Sequence, residues 1–156
     1  MSEGNEALAH RFHMDIFQEG TIDAADEILS PDFVWHGAFS PGEDQRGPEP
    51  TKQVASAVIS AFPDRRITHE DTVAEGDKVL IRWTMTGTQE GEFAGIPPTG
   101  GQVTLTGFDL FRIEGDKIAE MWQEADRLGM MQQLGVLPEP GQQPGGSLSS
   151  GQEPPS

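Results

Sequence analysis

Four runs in the second half of the chain constrain its fold more than anything else: RITHEDTVAE (66–75), KVLIRWTMTGT (78–88), QVTLTGFDLFRI (102–113) and KIAEMWQEA (117–125). They are rich in Val, Ile, Thr, Phe and Trp, the residues that suit a pleated, half-buried surface, so each is expected to be a strand. Two of the joints are near copies, EGDKV at 75–79 and EGDKI at 114–118. A Gly-Asp pair between apolar runs is a hairpin signal because glycine tolerates positive φ, so the four strands are expected to pair antiparallel in sequence order. The flanking segments do not repeat, and the copies are read as one turn chemistry used twice.

The first half has a helical period. Leu8, Phe12 and Ile16 recur every fourth residue between 4 and 18, Ala9 and Phe17 widen the stripe, and Gly20 stands where a helix would stop. Thr21 can cap a short second helix through Ile22, Ala25, Ile28 and Leu29, which must end before Pro31. DFVWH (32–36) reads as a short strand, and residues 37–50 carry too many Gly and Pro for regular structure. Val54, Val58 and Ala61 share one face of a third helix that stops at Pro63, and residues 127–134 form a last short one. The class is α+β, with a single domain over 1–137. From Pro138 to Ser156 the Pro, Gly, Gln and Ser content leaves too little apolar surface to offset ordering entropy, which predicts a disordered tail.

The last strand poses a chemical question. Alternate residues share a face, so Ile118, Glu120, Trp122, Glu124 and Asp126 form a row that is half apolar and half acidic. With Gly115 and Asp116 as the turn, Ile113 is expected opposite Ile118, Phe111 opposite Glu120 and Asp109 opposite Trp122. Phe108, Leu110, Met121 and Ala125 then fall on the other face, which is apolar as well. One face would line a helix-covered cavity and the other would pack on a second subunit, giving a homodimer. Burial and a neighbouring carboxylate raise a carboxyl group's pKa, which is how enzymes obtain a general acid or base from Asp or Glu. Glu120 and Glu124 can equally be solvated strand ends, and Asp126 can equally cap the helix that follows it.

Charge and composition narrow the partners. Against 26 acidic residues the chain has 10 basic ones, a formal net charge of −16, and such a surface repels nucleic acid and anionic membrane. Lys52, Lys78 and Lys117 are the only lysines, a composition that fits either a salt-adapted, halophilic source or an ordinary acidic protein. There is no cysteine, and the four histidines lack metal-ligand spacing, so neither disulfide nor metal is expected. His10 and His13, at i and i+3, carry no weight in this reading. The polar, acidic N-terminus and the lack of a span-length apolar run point to a cytoplasmic protein.

The run GTQEGEFAGIPPTGGQVTLTGFDLFRIEGDKIAEMWQEADRLGMMQQLGVLP resembles the C-terminal half of the SnoaL-like polyketide cyclases, or ester cyclases. DFVWHG and FPDRRITHEDTVAEGDKVLIRW resemble the N-terminal half, so the resemblance covers nearly all of residues 5–138. The motifs G-x-P-P-T-G, R-I-x-x-x-K-I-x-E-x-W and W-x-x-x-D occur in order. The resemblance implies the cone-shaped α+β barrel of the nuclear transport factor 2 superfamily, a curved antiparallel sheet wrapped around helices with a central pocket for a hydrophobic small molecule. It further implies a cofactor-free aldol-type ring closure on a carbonyl compound, with Asp126 as general acid/base. His36 matches a family histidine that could hydrogen-bond or relay a proton, and Asp109 is a second acid candidate. Trp122, Trp83, Phe93 and Phe111 are expected to shape the pocket. Two alternatives stay open. One is an epoxide hydrolase of the limonene type, or an isomerase, needing an Asp-Arg-Asp cluster from Asp109, Asp126 and Arg82 or Arg112; the other is a binding pocket without chemistry.

Overall fold

The computed structural model describes residues 2–138; the Pro/Gly-rich tail expected to be disordered lies, from residue 139, outside them. Helix α1 (Ser2–Arg11) runs into a π-helical segment (Phe12–Gln18), and α2 (Ala24–Ile28) leads directly into β1 (Leu29–Gly37). Helix α3 (Pro48–Ala61) follows a Gly/Pro-rich loop, and then come β2 (Arg66–Glu75), β3 (Lys78–Thr88), β4 (Gln102–Glu114), β5 (Lys117–Ala125) and α4 (Arg127–Gln133). The second helix begins three residues later than its expected cap at Thr21 and has no side-chain cap.

The five strands form one open sheet in the order β1-β5-β4-β3-β2. Strands β2 to β5 pair antiparallel in sequence order, as the two Gly-Asp turns predict. Strand β1 joins beyond them, parallel to β5, so the sheet is curved but does not close into a barrel. The helices cover one face, where Phe12, Ile16, Phe33, Trp35 and Phe111 are all at most 3 % exposed. Along β4 the alternation is strict: Val103, Leu105, Gly107, Asp109, Phe111 and Ile113 point inward.

The acidic row is not on that inner face. Ile113 does pair with Ile118, but a bulge follows at Ala119, so that Arg112 pairs with Glu120, Phe111 with Met121, Leu110 with Trp122 and Asp109 with Gln123. One extra residue reverses the facing of all that follow it in a strand. Met121 and Gln123 are thereby buried, while Trp122 and Glu124 stand on the outer face. The expected pairings of Asp109 with Trp122 and of Phe111 with Glu120 are corrected by this single insertion.

The first helix also departs from expectation. A 3.6-residue period predicts continuous α-helix to Gln18, yet from Phe12 the chain is π-helical, with Glu19 N–H donating to Met14 O at 2.9 Å. Its C-terminal carbonyls are held from β2's side: the Arg65 guanidinium donates to Phe17 O and, at 3.0 Å, to Gln18 O. Gln18 in turn donates to Arg65 O at 3.0 Å and accepts from Ile67 N–H at 2.6 Å. The wider π turn turns four side chains into the fold, Phe12, His13, Ile16 and Phe17.

Candidate active site

Between the π-helical segment, α3 and the concave face of the sheet lies a narrow cavity of about 60 Å³. Its wall is aromatic and aliphatic, including Phe12, Phe17, Trp35, Phe39, Trp83 and Phe93; the polar side chains in it are His13 and Gln123, besides the two indoles. Gln123 is tied up, its Oε1 accepting from Trp35 Nε1 at 3.2 Å and from Phe39 N–H at 3.0 Å. Trp83 lies flat against the strand beside it because Gly107 leaves room: a Cβ there would sit 2.4 Å from Trp83 Cζ2. The cavity is smaller than the ~300 Å³ or more of typical ligand sites, so a ligand must displace side chains to enter. Phe39, on the loop after β1, closes one side of the cavity, resting against Phe93 at 5.5 Å and beneath the Arg127 guanidinium at 5.6 Å.

Behind His13 the polar groups continue. His13 Nε2 lies 2.6 Å from Asp109 Oδ2, and the two side chains are 7 % and 0 % exposed. His13 Nδ1 lies 2.7 Å from His69 Nε2, His69 Nδ1 lies 2.5 Å from His10 Nδ1, and His10 Nε2 lies 3.2 Å from Thr72 Oγ1. Four elements supply this file: α1 gives His10, the π-helical segment His13, β2 His69 and Thr72, and β4 Asp109. Burial, with the neighbouring His13 and His10, pushes the His69 imidazole down to about 3. His10 is also lowered, by burial and by His13, against an opposing pull from Glu6. Two buried polar atoms have no hydrogen-bond partner among the described residues, Trp83 Nε1 and Asp109 Oδ1. An unpaired buried donor or acceptor costs about 1–3 kcal/mol; Trp83 is part of the cavity wall, whereas Asp109 lies behind His13 and outside that wall.

The residues singled out from sequence fall into two groups. Trp83 and Phe93 line the cavity, Asp109 is buried directly opposite Gln123 in the ladder, and Phe111 is core against His13 and Phe12, at ring separations of 5.7 and 5.3 Å. His36 and Trp122 sit elsewhere, stacked on each other at 17° and 5.4 Å on the outer side of the sheet, where Trp122 is 37 % exposed. His36 bonds Glu120 at 2.7 Å and Glu43 at 3.1 Å; these carboxylates outweigh its burial and raise its pKa. Asp126 is exposed at the head of α4, its Oδ1 accepting from Gly129 N–H at 2.9 Å. It is the cap that the sequence allowed, and it does not line the cavity. Among the described residues no arginine lines the cavity either: Arg82 pairs with Asp71 at 2.6 Å, and Arg112 with Glu114 and Glu120, so Asp109, Asp126 and these arginines form no Asp-Arg-Asp cluster. His10, His13 and His69 are what the sequence reading passed over. The available signal was His13 lying inside the apolar stripe, between Phe12 and Phe17.

No helix among the described residues is long and apolar enough to cross a membrane. Comparison with curated proteins gives no match to the chain. Among solved structures it is similar to TsrD from Streptomyces laurentii, with 32 % identity over 86 % of this chain and 97 % of that one and a TM-score of 0.77. It is similar also to IdmH from Streptomyces antibioticus, with 30 % identity over 85 % and 99 % of the two chains and a TM-score of 0.69. A SnoaL-like polyketide cyclase from Agrobacterium tumefaciens, 18 % identical over 83 % of this chain and 97 % of that one, shares the fold with a TM-score of 0.68. The model of the SnoaL-like polyketide cyclases matches residues 7–134, and with it the α+β cone of N-terminal helices in a curved sheet: the chain belongs to this family.

Proposed function

We propose that the protein is a cyclase-type enzyme that closes a ring in a small hydrophobic carbonyl compound by general acid/base chemistry, with Asp109 as the acid/base and His13 as its partner. IdmH, which is similar to this chain, is itself described as a candidate polyketide cyclase. The observation that carries the reading is a fully buried carboxylate, Asp109, held at 2.6 Å by His13, which lines an apolar cavity together with Trp83, whose Nε1 has no hydrogen-bond partner among the described residues. In this reading Trp83 Nε1–H donates to a substrate carbonyl oxygen, and Asp109 takes the proton from a carbon between two carbonyls. The resulting enolate carbon attacks a second carbonyl within the same molecule, a carbon–carbon bond forms, and the carbonyl π electrons go to its oxygen. Asp109 returns the proton to that oxygen, so nothing is consumed. A carboxylate suffices because such a substrate stabilises its own enolate, and neither metal nor cofactor is required. His13 holds Oδ2 through Nε2–H and fixes the carboxylate's orientation.

A pocket that binds without chemistry is the second reading, favoured by the exposure of Asp126, the family's acid/base position. Turnover of a panel of hydrophobic 1,3-dicarbonyl compounds separates the two. Asp109→Asn is expected to lose activity on the order of a hundredfold to ten-thousandfold, the usual worth of a general acid/base, and Asp126→Asn to keep most of it. The reverse order would return the chemistry to Asp126, and no turnover by the unaltered protein on any member would favour the binding pocket. We also propose that the outer sheet face, with Phe108, Trp122 and Val73 at 48, 37 and 61 % exposure, packs on a second copy of the chain.

A further inference from the structure

We infer that Thr72, His10, His69 and His13 form a proton relay joining solvent to the buried carboxyl group of Asp109. The file is unbranched and every contact in it is within hydrogen-bond reach, at 3.2, 2.5, 2.7 and 2.6 Å from Thr72 inward. Its outer end, at Thr72 and His10, is half-exposed, and its inner end is fully buried. Each imidazole uses both ring nitrogens, one toward solvent and one toward Asp109, as a relay requires. Two hydrogen bonds would be enough to staple the helix to the sheet.

The protons balance in one orientation. With Asp109 ionised, the Thr72 hydroxyl donates to His10 Nε2, His10 Nδ1–H to His69 Nδ1, His69 Nε2–H to His13 Nδ1, and His13 Nε2–H to Asp109 Oδ2. Each contact then holds one proton and all three rings are neutral. A concerted inward shift moves each proton across its own contact, and Thr72 is replenished from water, whose proton donor becomes its conjugate base. Asp109 ends as a carboxylic acid, the three rings end neutral in the other tautomer, and the reverse shift discharges Asp109 to solvent. A shift of this kind never places a charge on the middle ring, which suits His69, since burial and its two histidine neighbours disfavour its imidazolium. The titratable groups around that ring are His10 and, beyond it, Glu6 from α1, His13 from the π-helical segment and Asp109 from β4; Trp83 and Phe111, from β3 and β4, are uncharged neighbours of His13. The relay gives the buried Asp109 a proton path to solvent that does not pass through the apolar cavity, and so sets its protonation state between turnovers. Its role rests on the acid/base reading of Asp109, but its existence can be tested without turnover.

Infrared difference spectra after a rapid acid pulse of buffer follow the carboxyl band of Asp109, assigned by its loss in Asp109→Asn. In the unaltered protein the band is expected to rise in a single fast phase. In His69→Phe, and in His10→Gln at the half-exposed end should His69→Phe fail to fold, it should reach the same amplitude with a rate lower by on the order of a hundredfold. An unchanged rate in the folded variant would overturn the relay, as would the absence of any Asp109 band over the pH range in which the fold persists. If the relay is found but Asp109→Asn retains full ring closure, the catalytic reading fails and the relay stands. If Asp109→Asn is inactive while the band's rate is the same in the variants, the reverse holds.

Discussion

At the scale of single residues, the site is built from groups whose neighbours decide their state. His69 is held near 3 by burial first and by His13 and His10 next, so the folded protein keeps it neutral where an ordinary histidine, near 6.5, would charge. The unfolded chain therefore binds more protons between those values, and stability from this group is complete above pH 6.5 and lost as pH falls toward 3. His36 works in the opposite sense: its raised value, due to Glu120 and Glu43 outweighing burial, stabilises below its ordinary value and ceases to do so as pH rises through the folded one. Melting temperature is expected to fall between pH 6.5 and 4, and to fall less steeply in His69→Gln. Equal slopes in the two proteins would show that His69 is free to charge in the fold.

At the scale of elements, two irregularities place the site. The π-helical segment turns His13 inward beside Phe12 and Phe17, and the bulge at Ala119 turns Gln123 inward and sends Glu120, Trp122 and Glu124 outward. Between β3 and β4, the ladder partners Trp83 and Gly107 fit only because glycine leaves the space. Gly107→Ala should displace the indole at a cost of about 1–3 kcal/mol, as overpacking a tight core does. The Cβ would also meet Glu124 O at 2.8 Å, backbone that cannot swing aside. Thermal unfolding measures this, and an unchanged melting temperature would mean that Trp83 is loosely held. The G-I-P-P-T-G loop is structural in the same sense, wrapped around the buried Gln89, which donates to Ile96 O at 3.0 Å and accepts from Thr99 Oγ1 at 2.8 Å.

At the scale of the whole molecule, a net charge of −16 and the exposed apolar residues of the outer sheet face oppose each other. Two copies meeting through Phe108, Trp122 and their neighbours would bury apolar surface while bringing like charges together. Such a dimer, with about 800 Å² covered per copy if of standard size, should tighten as salt screens the repulsion. Sedimentation equilibrium at low and at molar salt tests it. A monomer at high micromolar concentration in both would leave the outer face without a partner and the acidic excess without this role.

The sequence by itself determined the order of the elements and, the π-helical segment apart, their kind, because hydrophobic period, Gly-Asp turns and the prolines at 31 and 63 act over a few residues and leave local marks. It also marked Trp83 and Phe93, aromatic residues on or beside strands, which line the cavity. It did not determine which face each acid takes. A single extra residue at Ala119 inverts the period-two reading, and what fixes that bulge is pairing with β4 on one side and β1 on the other. Nor did it mark the histidine file, since His10, His13, His69 and Asp109 come from positions up to 99 residues apart in number and meet only when helix and sheet close over each other. Local patterns carry secondary structure because its hydrogen bonds are local. Burial, facing and the proton states that depend on them are set by contacts between distant segments, and those belong to the tertiary structure.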